Sequence, residues 1–221
     1  GEDFTTLAYV DVFMAGGKTT VSVKNGKKNK DGSIDKKIFA IGGILKDTEL
    51  GGSNTLKFGN YNDVTVNGNI ESLANMTLGK NSELYIGGNV IAQNTNNTIS
   101  IGADSVVVVE GDIVLAGGKN VVSVGARSNV TFGSVADVVD FKIAAGKKDN
   151  YTNVTITGKI TAPAMNNKLT GGNYAKLSIG KVDGVSIDNG GISSATGTTV
   201  KVGTASTMSV AGSANGIAAI T

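Results

Sequence analysis

A motif of two apolar residues, separated by one other residue and closed by glycine, recurs along this 221-residue chain. Leu56-Lys57-Phe58-Gly59 and Met76-Thr77-Leu78-Gly79 are two of its copies. Each copy is followed by a polar turn and by a second apolar pair, such as Val64-Thr65-Val66. Successive copies lie 20 to 23 residues apart, except for one step of 34. The closing glycines are Gly59, Gly79, Gly102, Gly125, Gly146, Gly180 and Gly203.

One unit of this length cannot enclose a core, because it contains only two or three strands of about three residues. Stacked units share a core, so the period predicts an all-β fold. The expected form is a parallel β-solenoid, built as a right-handed β-helix of seven to eight coils of about 22 residues. Val64 and Leu84 should then point inward, while Thr65 and Tyr85 point outward. Glycine and asparagine are expected at corners with positive φ. A β-sandwich of short strands is the alternative.

The first 50 residues fit the repeat less well than the rest. We interpret residues 1–50 as N-terminal strands or a cap with a Lys-rich insertion at 24–37, and residues 51–221 as the β-solenoid. A loop insertion near 161–172 accounts for the 34-residue step. The last stretch, Thr198–Thr221, has no charged residue after Lys201. It predicts an open edge that pairs with a neighbouring segment of a longer chain or with a second copy.

Composition restricts the chemistry that the chain can perform. Cysteine and histidine are absent, so the usual ligands of zinc, haem and iron–sulfur clusters are missing, as are Ser-His-Asp and Cys-His catalysis. The formal net charge is +2, and Arg127 is the one arginine; nucleic acid is therefore not expected as a partner. No apolar run reaches the 18 residues of a membrane-spanning helix. We predict no catalytic residue and no cofactor.

The last coils resemble a known class of surface protein. Val185–Ile192, with the sequence Val-Ser-Ile-Asp-Asn-Gly-Gly-Ile, and Thr199–Gly203 are similar to the Gly-, Thr- and Val-rich repeats of AIDA-type autotransporter adhesins. Asn120–Gly125 is similar more generally to repetitive bacterial surface adhesins. This resemblance extends over residues 54–221 as a style of repeat. It implies a right-handed β-helix, an extracellular or bacterial cell-surface location, and a role in adhesion or self-association.

The two insertions supply the candidate binding residues. The first has a net charge of +4, which suits an acidic partner such as an anionic host or bacterial surface glycan. A solvated hairpin loop explains the same lysines. The second insertion holds the single proline, and loops that leave a solenoid often carry binding surfaces. The candidates are Lys24, Lys27, Lys28, Lys30, Lys36, Lys37, Pro163, Asn166 and Asn167.

Calcium is the one metal that the sequence leaves open. Asn29–Asp35 resembles the middle of an EF-hand loop with Gly32 at its sixth position. Lys27 and Ile38 then occupy the first and twelfth positions, where an EF-hand has carboxylates. An Asp-Gly hairpin turn is therefore the favoured interpretation, with calcium held by loop aspartates and backbone carbonyls as the alternative.

These features predict a non-enzymatic extracellular or cell-surface segment with a structural or adhesive function. It would act as a rod, an adhesion surface or a self-assembling subunit. The alternative is a carbohydrate-active β-helix, a polysaccharide lyase or hydrolase. Such an enzyme needs grouped carboxylates, and Asp104, Glu110 and Asp112 lie within one predicted coil.

Overall fold

The computed structural model describes residues 12–14, 18–46, 54–92, 94, 96–162, 167–182, 185–186 and 191–221. Every regular element within these ranges is a β-strand. In chain order the strands are β1 (Val12–Met14), β2 (Thr20–Val23), β3 (Lys27–Lys28), β4 (Ile34–Asp35), β5 (Lys37–Ile41), β6 (Ile44–Lys46), β7 (Asn54–Phe58), β8 (Asn62–Val66), β9 (Ile70–Leu78), β10 (Glu83–Ile86), β11 (Val90–Ala92), β12 (Asn96–Ile101), β13 (Val106–Val109), β14 (Ile113–Leu115), β15 (Lys119–Val124), β16 (Asn129–Phe132), β17 (Val135–Ala136), β18 (Asp140–Ile143), β19 (Thr152–Ile156), β20 (Lys159–Ala162), β21 (Lys168–Gly171), β22 (Ala175–Ile179), β23 (Lys181–Val182), β24 (Val185–Ser186), β25 (Gly191–Val202), β26 (Thr207–Val210) and β27 (Ser213–Ile220).

The chain winds around three faces in a fixed order. Face I is an 8-stranded parallel sheet with the order β5-β8-β10-β13-β16-β19-β22-β26. A 15-stranded sheet supplies the other two faces. Its row β1-β6-β9-β11-β14-β17-β20-β25 forms face II, and its row β2-β7-β9-β12-β15-β18-β21-β25 forms face III. The long strands β9, β25 and β27 run through both rows, so they join faces II and III at a shared corner.

The stack has about six turns that lie about 23 residues apart. The end strands of face I are β5 and β26. All pairs between coils are parallel, and each strand of a face pairs with strands one turn away in the chain. The prediction of an all-β parallel solenoid is therefore confirmed, and the β-sandwich alternative is wrong. The right-handed sense stays a prediction.

One continuous apolar core runs inside the three faces. Strands alternate between inward and outward residues, as at Leu84, which is buried, and Tyr85, which is 40% exposed. This alternation follows the two-residue period of a strand. Val64 and Leu84, which the sequence predicted to point inward, are buried, as are the equivalent residues of face I: Val66, Ile86, Val107, Val109, Val154 and Ile156.

The predicted phase of the copy at Leu177–Gly180 is wrong, whereas Val200–Gly203 lies on face III in the predicted phase. Leu177-Ser178-Ile179-Gly180 was assigned to the first apolar pair of a unit, but it belongs to β22 on face I, where Gly180 N–H donates to Ile156 O at 2.8 Å. The corner glycine of this coil is instead Gly172. An inserted antiparallel hairpin, β23–β24, follows β22. Both apolar pairs of a unit can end in glycine, so the local letters do not distinguish them.

The N-terminal segment continues the stack. Strand β5 pairs with β8 in parallel register from Lys37↔Asn62 to Ile41↔Val66. Strand β2 pairs in the same way with β7. The predicted boundary at residue 50 therefore separates segments that belong to one set of sheets. Residues 47–53, where that boundary falls, lie outside the described residues.

Candidate binding surface

Within the described residues, six coils pass from face III to face I through a short corner that starts with glycine, whereas Ala144 starts this corner after β18. The residue two positions after that glycine is in the left-handed region, with φ between 52° and 58°. The left-handed residues of these corners are Tyr61, Asn81, Asp104, Arg127, Tyr174 and Ala205. The glycine that starts these corners is therefore not the left-handed residue, although Asn81 is at one of them as expected and Gly180, which follows β22 on face I, has φ +69°. At Gly102 an added Cβ would lie 2.5 Å from backbone atoms of Gly79 and Lys80, so this glycine permits close approach of two coils.

Buried serines connect these corners from coil to coil. Ser105 Oγ donates to Gly79 O at 3.2 Å and accepts from Ser82 N at 3.3 Å. Ser128 repeats both bonds one coil further along. The hydroxyls thus satisfy backbone groups that the corner removes from the sheets. Ala175 stands at the equivalent place in its coil, where the side chain offers no hydroxyl.

Buried asparagines form similar hydrogen bonds between coils at the corner between faces II and III. Asn97 Nδ2 donates to Asn120 Oδ1 at 2.8 Å and to Ala116 O at 2.6 Å. Asn120 Nδ2 donates in turn to Asp137 O at 2.8 Å. Both asparagines are fully buried. They hold this corner from the inside, since buried polar groups are stable only when hydrogen-bonded.

The acidic residues considered for an enzyme have structural contacts. Asp104 accepts from Arg127 through two hydrogen bonds, of 2.7 Å to Nε and 2.6 Å to Nη2. Asp112 Oδ1 accepts from Ser134 N at 2.7 Å, which links two turns at the corner between faces I and II. Glu110 is exposed. Asp104 and Asp112 thus form hydrogen bonds between the corners of successive coils.

We expect the ion pair between Arg127 and Asp104 to determine how the stability of its corner changes at acid pH. The hydrogen bond from Arg127 holds the pKa of Asp104 below its ordinary value of 3.8. A lowered folded pKa means that the pair stabilises the fold above that ordinary value and that this stability is lost as pH falls through the folded pKa. Arg127→Gln should therefore raise the pKa of Asp104, as measured by carboxyl-carbon NMR titration.

The control for this titration is Asp31. Hydrogen bonds from the side chain and amide of Ser33 lower the pKa of Asp31, and neither involves Arg127. Its titration should be the same in the wild type and in Arg127→Gln. An unchanged Asp104 titration in the variant would show that the pair does not govern this carboxyl.

The Lys-rich insertion contains an antiparallel hairpin, β3–β4. Its turn closes through Gly32 N–H to Asn29 O at 3.1 Å and Asn29 N–H to Ser33 O at 2.8 Å, with Gly32 at φ +90°. This is the geometry of a three-residue hairpin loop with glycine in the left-handed position. The favoured hairpin interpretation agrees with it. Asp31 Oδ1 accepts from Ser33, and Asp35 Oδ2 accepts from Asn29 Nδ2.

Both ends of the hairpin are fixed to the next coil. Gly26 N–H donates to Asn60 O at 2.8 Å, and Lys37 N–H donates to Tyr61 O at 3.0 Å. Lys36 is half-buried and forms an ion pair with Glu83 of face I. The other candidate lysines of the insertion are exposed: Lys24, Lys27, Lys28, Lys30 and Lys37.

Of the candidates in the second insertion, Asn167 is the one that lies within the described residues. Pro163 and Asn166 lie outside the described residues. Asn167 is only 2% exposed and directly precedes β21. The structure therefore places Asn167 in the interior, at the same corner as the buried asparagines, and not on an exposed loop.

An open groove of about 620 Å³ lies between the root of the hairpin and face III. The polar residues that line it come from three consecutive coils: Ser22, Lys24, Asn25, Lys57, Asn60 and Thr77. Of these, only Lys24 was a candidate from the sequence. Ser22 and Asn25 lie close to Lys24 in the chain, whereas Lys57, Asn60 and Thr77 are 33 to 53 residues away. Register brings them together, with Ser22↔Lys57↔Thr77 in one column.

Face III presents its outward side chains in columns. The column through Thr77 continues with Ser100 and Ser123 in the next two coils. Neighbouring strands of a sheet lie about 4.8 Å apart, so hydroxyls repeat at that spacing along the stack. The same column carries Lys142 and Lys201 further along. Face III is thus a flat polar surface with lysines towards both ends.

Comparison with protein-family models, with curated proteins and with solved structures returned no match. Within the described ranges, no three acidic side chains come together as a metal site would require. The same residues include no helix long and apolar enough to cross a membrane.

Proposed function

We propose that this chain is a non-enzymatic structural and adhesive segment of an extracellular or bacterial cell-surface β-solenoid. One observation carries the proposal: face III is a flat surface whose outward hydroxyl, amide and lysine side chains repeat in columns from coil to coil. Sites for small molecules are concave and enclose most of the ligand. A flat periodic surface instead suits contact with an extended polymer or with another surface.

The interior supports a rod that keeps such a surface in shape. Serine hydroxyls at one corner and asparagine amides at another hydrogen-bond to the backbone of the neighbouring coil. Solenoid coils contact only their neighbours, so these bonds fix each turn against the next. The columns of face III are therefore held in register without a further domain.

Surface display tests this function. The chain is presented on a non-adherent bacterium, and cell aggregation and attachment to coated surfaces are counted. We expect both to rise above cells that carry the display scaffold alone. The matched variant is Thr77→Glu with Ser100→Glu, which changes two outward positions of face III. It should fold and yet adhere less, because like charges now project from the flat surface.

Two results would contradict the proposal. The first is a displayed, folded chain that leaves aggregation and attachment at the level of the scaffold alone. The second is equal adhesion of the wild type and the double variant, since the adhesive surface would then lie elsewhere. Folding of both chains is checked by circular dichroism of the purified proteins.

A further inference from the structure

The groove beside the hairpin concentrates positive charge next to sugar-compatible polar groups. Lys24 and Lys57 both line it and are exposed. Asn25 and Asn60 line the groove beside them. The hydroxyl residues Ser22 and Thr77, from one column of face III, line it as well. Amides and hydroxyls are the groups that exchange hydrogen bonds with sugar hydroxyls.

The amides of the groove are fixed in place before any ligand arrives. Asn25 Oδ1 accepts from Asn60 N at 2.8 Å, and Asn60 Oδ1 accepts from Lys80 N at 2.9 Å. The hairpin that forms the wall is anchored at both ends by backbone bonds to Asn60 and Tyr61. A site that is already ordered loses little conformational entropy on binding.

The charge around the groove is positive. Residues 24–37 carry +4, while the whole chain carries +2, so the remainder of the chain has a net charge of −2. The aspartates of the hairpin, Asp31 and Asp35, are engaged within its turn by Ser33 and Asn29. Exposed Lys27, Lys28 and Lys30 extend the positive surface of the groove onto the hairpin.

We propose that this groove binds an acidic polysaccharide, with Lys24 and Lys57 contacting its anionic groups. This inference rests on the proposed adhesive function and names the ligand class of that surface. The groove is open along face III, so a linear polymer can continue along the columns of hydroxyls beyond it. Charge complementarity selects the acidic polymer, because a polyanion releases counterions on contact with lysines.

Dextran sulfate and unmodified dextran are the probes, because they share a backbone and differ in charge. The full chain is immobilised and polymer binding is measured by surface plasmon resonance at two salt concentrations. We expect binding of dextran sulfate that weakens as salt rises, because added salt screens exposed charges. Lys24→Gln with Lys57→Gln should weaken it about 10-fold, since each lysine near a polyanion adds a few-fold in affinity.

The control is Lys148→Gln with Lys159→Gln. It removes the same charge from exposed positions outside face III, one in the loop before β19 and one in β20, and its affinity should stay within about 2-fold of the wild type. Equal losses in the two double variants would overturn the proposal, as would binding of unmodified dextran as tight as that of dextran sulfate. If displayed cells adhere and dextran sulfate does not bind, the groove inference is wrong and the proposed function stands.

Discussion

Gly102→Ala is expected to destabilise the solenoid by about 3 kcal/mol or more, which is large for one methyl group. The added Cβ would lie 2.5 Å from Gly79 C and Lys80 N, both backbone atoms of the neighbouring coil. A side chain can rotate away from such a contact, but backbone that is hydrogen-bonded within a stack cannot. Gly102 N–H itself donates to Leu78 O at 2.8 Å, so the coils must separate to admit the methyl group.

Gly118→Ala is the matched control for this substitution. No atom lies within 4 Å of the Cβ that it would add, so its urea midpoint should stay near that of the wild type. Unfolding is followed by circular dichroism for both variants. Coincident midpoints for Gly102→Ala and Gly118→Ala would show that the corner yields and that close approach of the coils is not what requires glycine there.

Asn120→Ala should cost about 3 kcal/mol, because it empties a fully buried position and removes the hydrogen bonds that the amide makes there. Asp137 O loses a donor at 2.8 Å, and Gly117 O loses a donor at 3.2 Å. Asn97 Nδ2 keeps its bonds to Asn94 O and Ala116 O. The free energy of unfolding is measured with urea as for the glycine variants.

Asn129→Ala removes the same kind of side chain from an exposed place and serves as the control. Its one side-chain contact is an exposed hydrogen bond from Asn153 Nδ2 to Asn129 Oδ1, so the change in stability should stay within about 0.5 kcal/mol. Similar losses for Asn120→Ala and Asn129→Ala would mean that the internal asparagines do not hold the corner.

The period of the sequence predicts the core well, because burial in a strand depends on two-residue alternation that the letters display directly. Leu84 is buried and its neighbour Tyr85 is exposed, as this alternation predicts. The phase of the repeat is harder to predict, because Leu177–Gly180 on face I has the same sequence pattern as the apolar pairs on face III. The register of β22 against β19 and the hydrogen bond from Gly180 to Ile156 separate the two assignments.

The candidate groove could be predicted only in part. Lys24 belongs to a visible cluster of lysines, whereas Lys57 stands alone between two core residues, Leu56 and Phe58. Lys57 enters the groove because its strand pairs with Ser22–Val23 one turn earlier. That pairing depends on the exact number of residues in each turn. The inserted hairpin lengthens the turn between the two segments, so the repeat period does not predict which residues pair.

The parallel register also determines how the rod responds to tension. The backbone hydrogen bonds between coils run along the stacking direction, because every strand lies across it. A pull that separates the two ends therefore loads these bonds one turn at a time, as in unzipping, and not all together as in shear. With about 23 residues per turn, each turn that detaches releases about 80 Å of extended chain. A tether of this kind lengthens in steps and keeps its remaining turns folded while it dissipates a load.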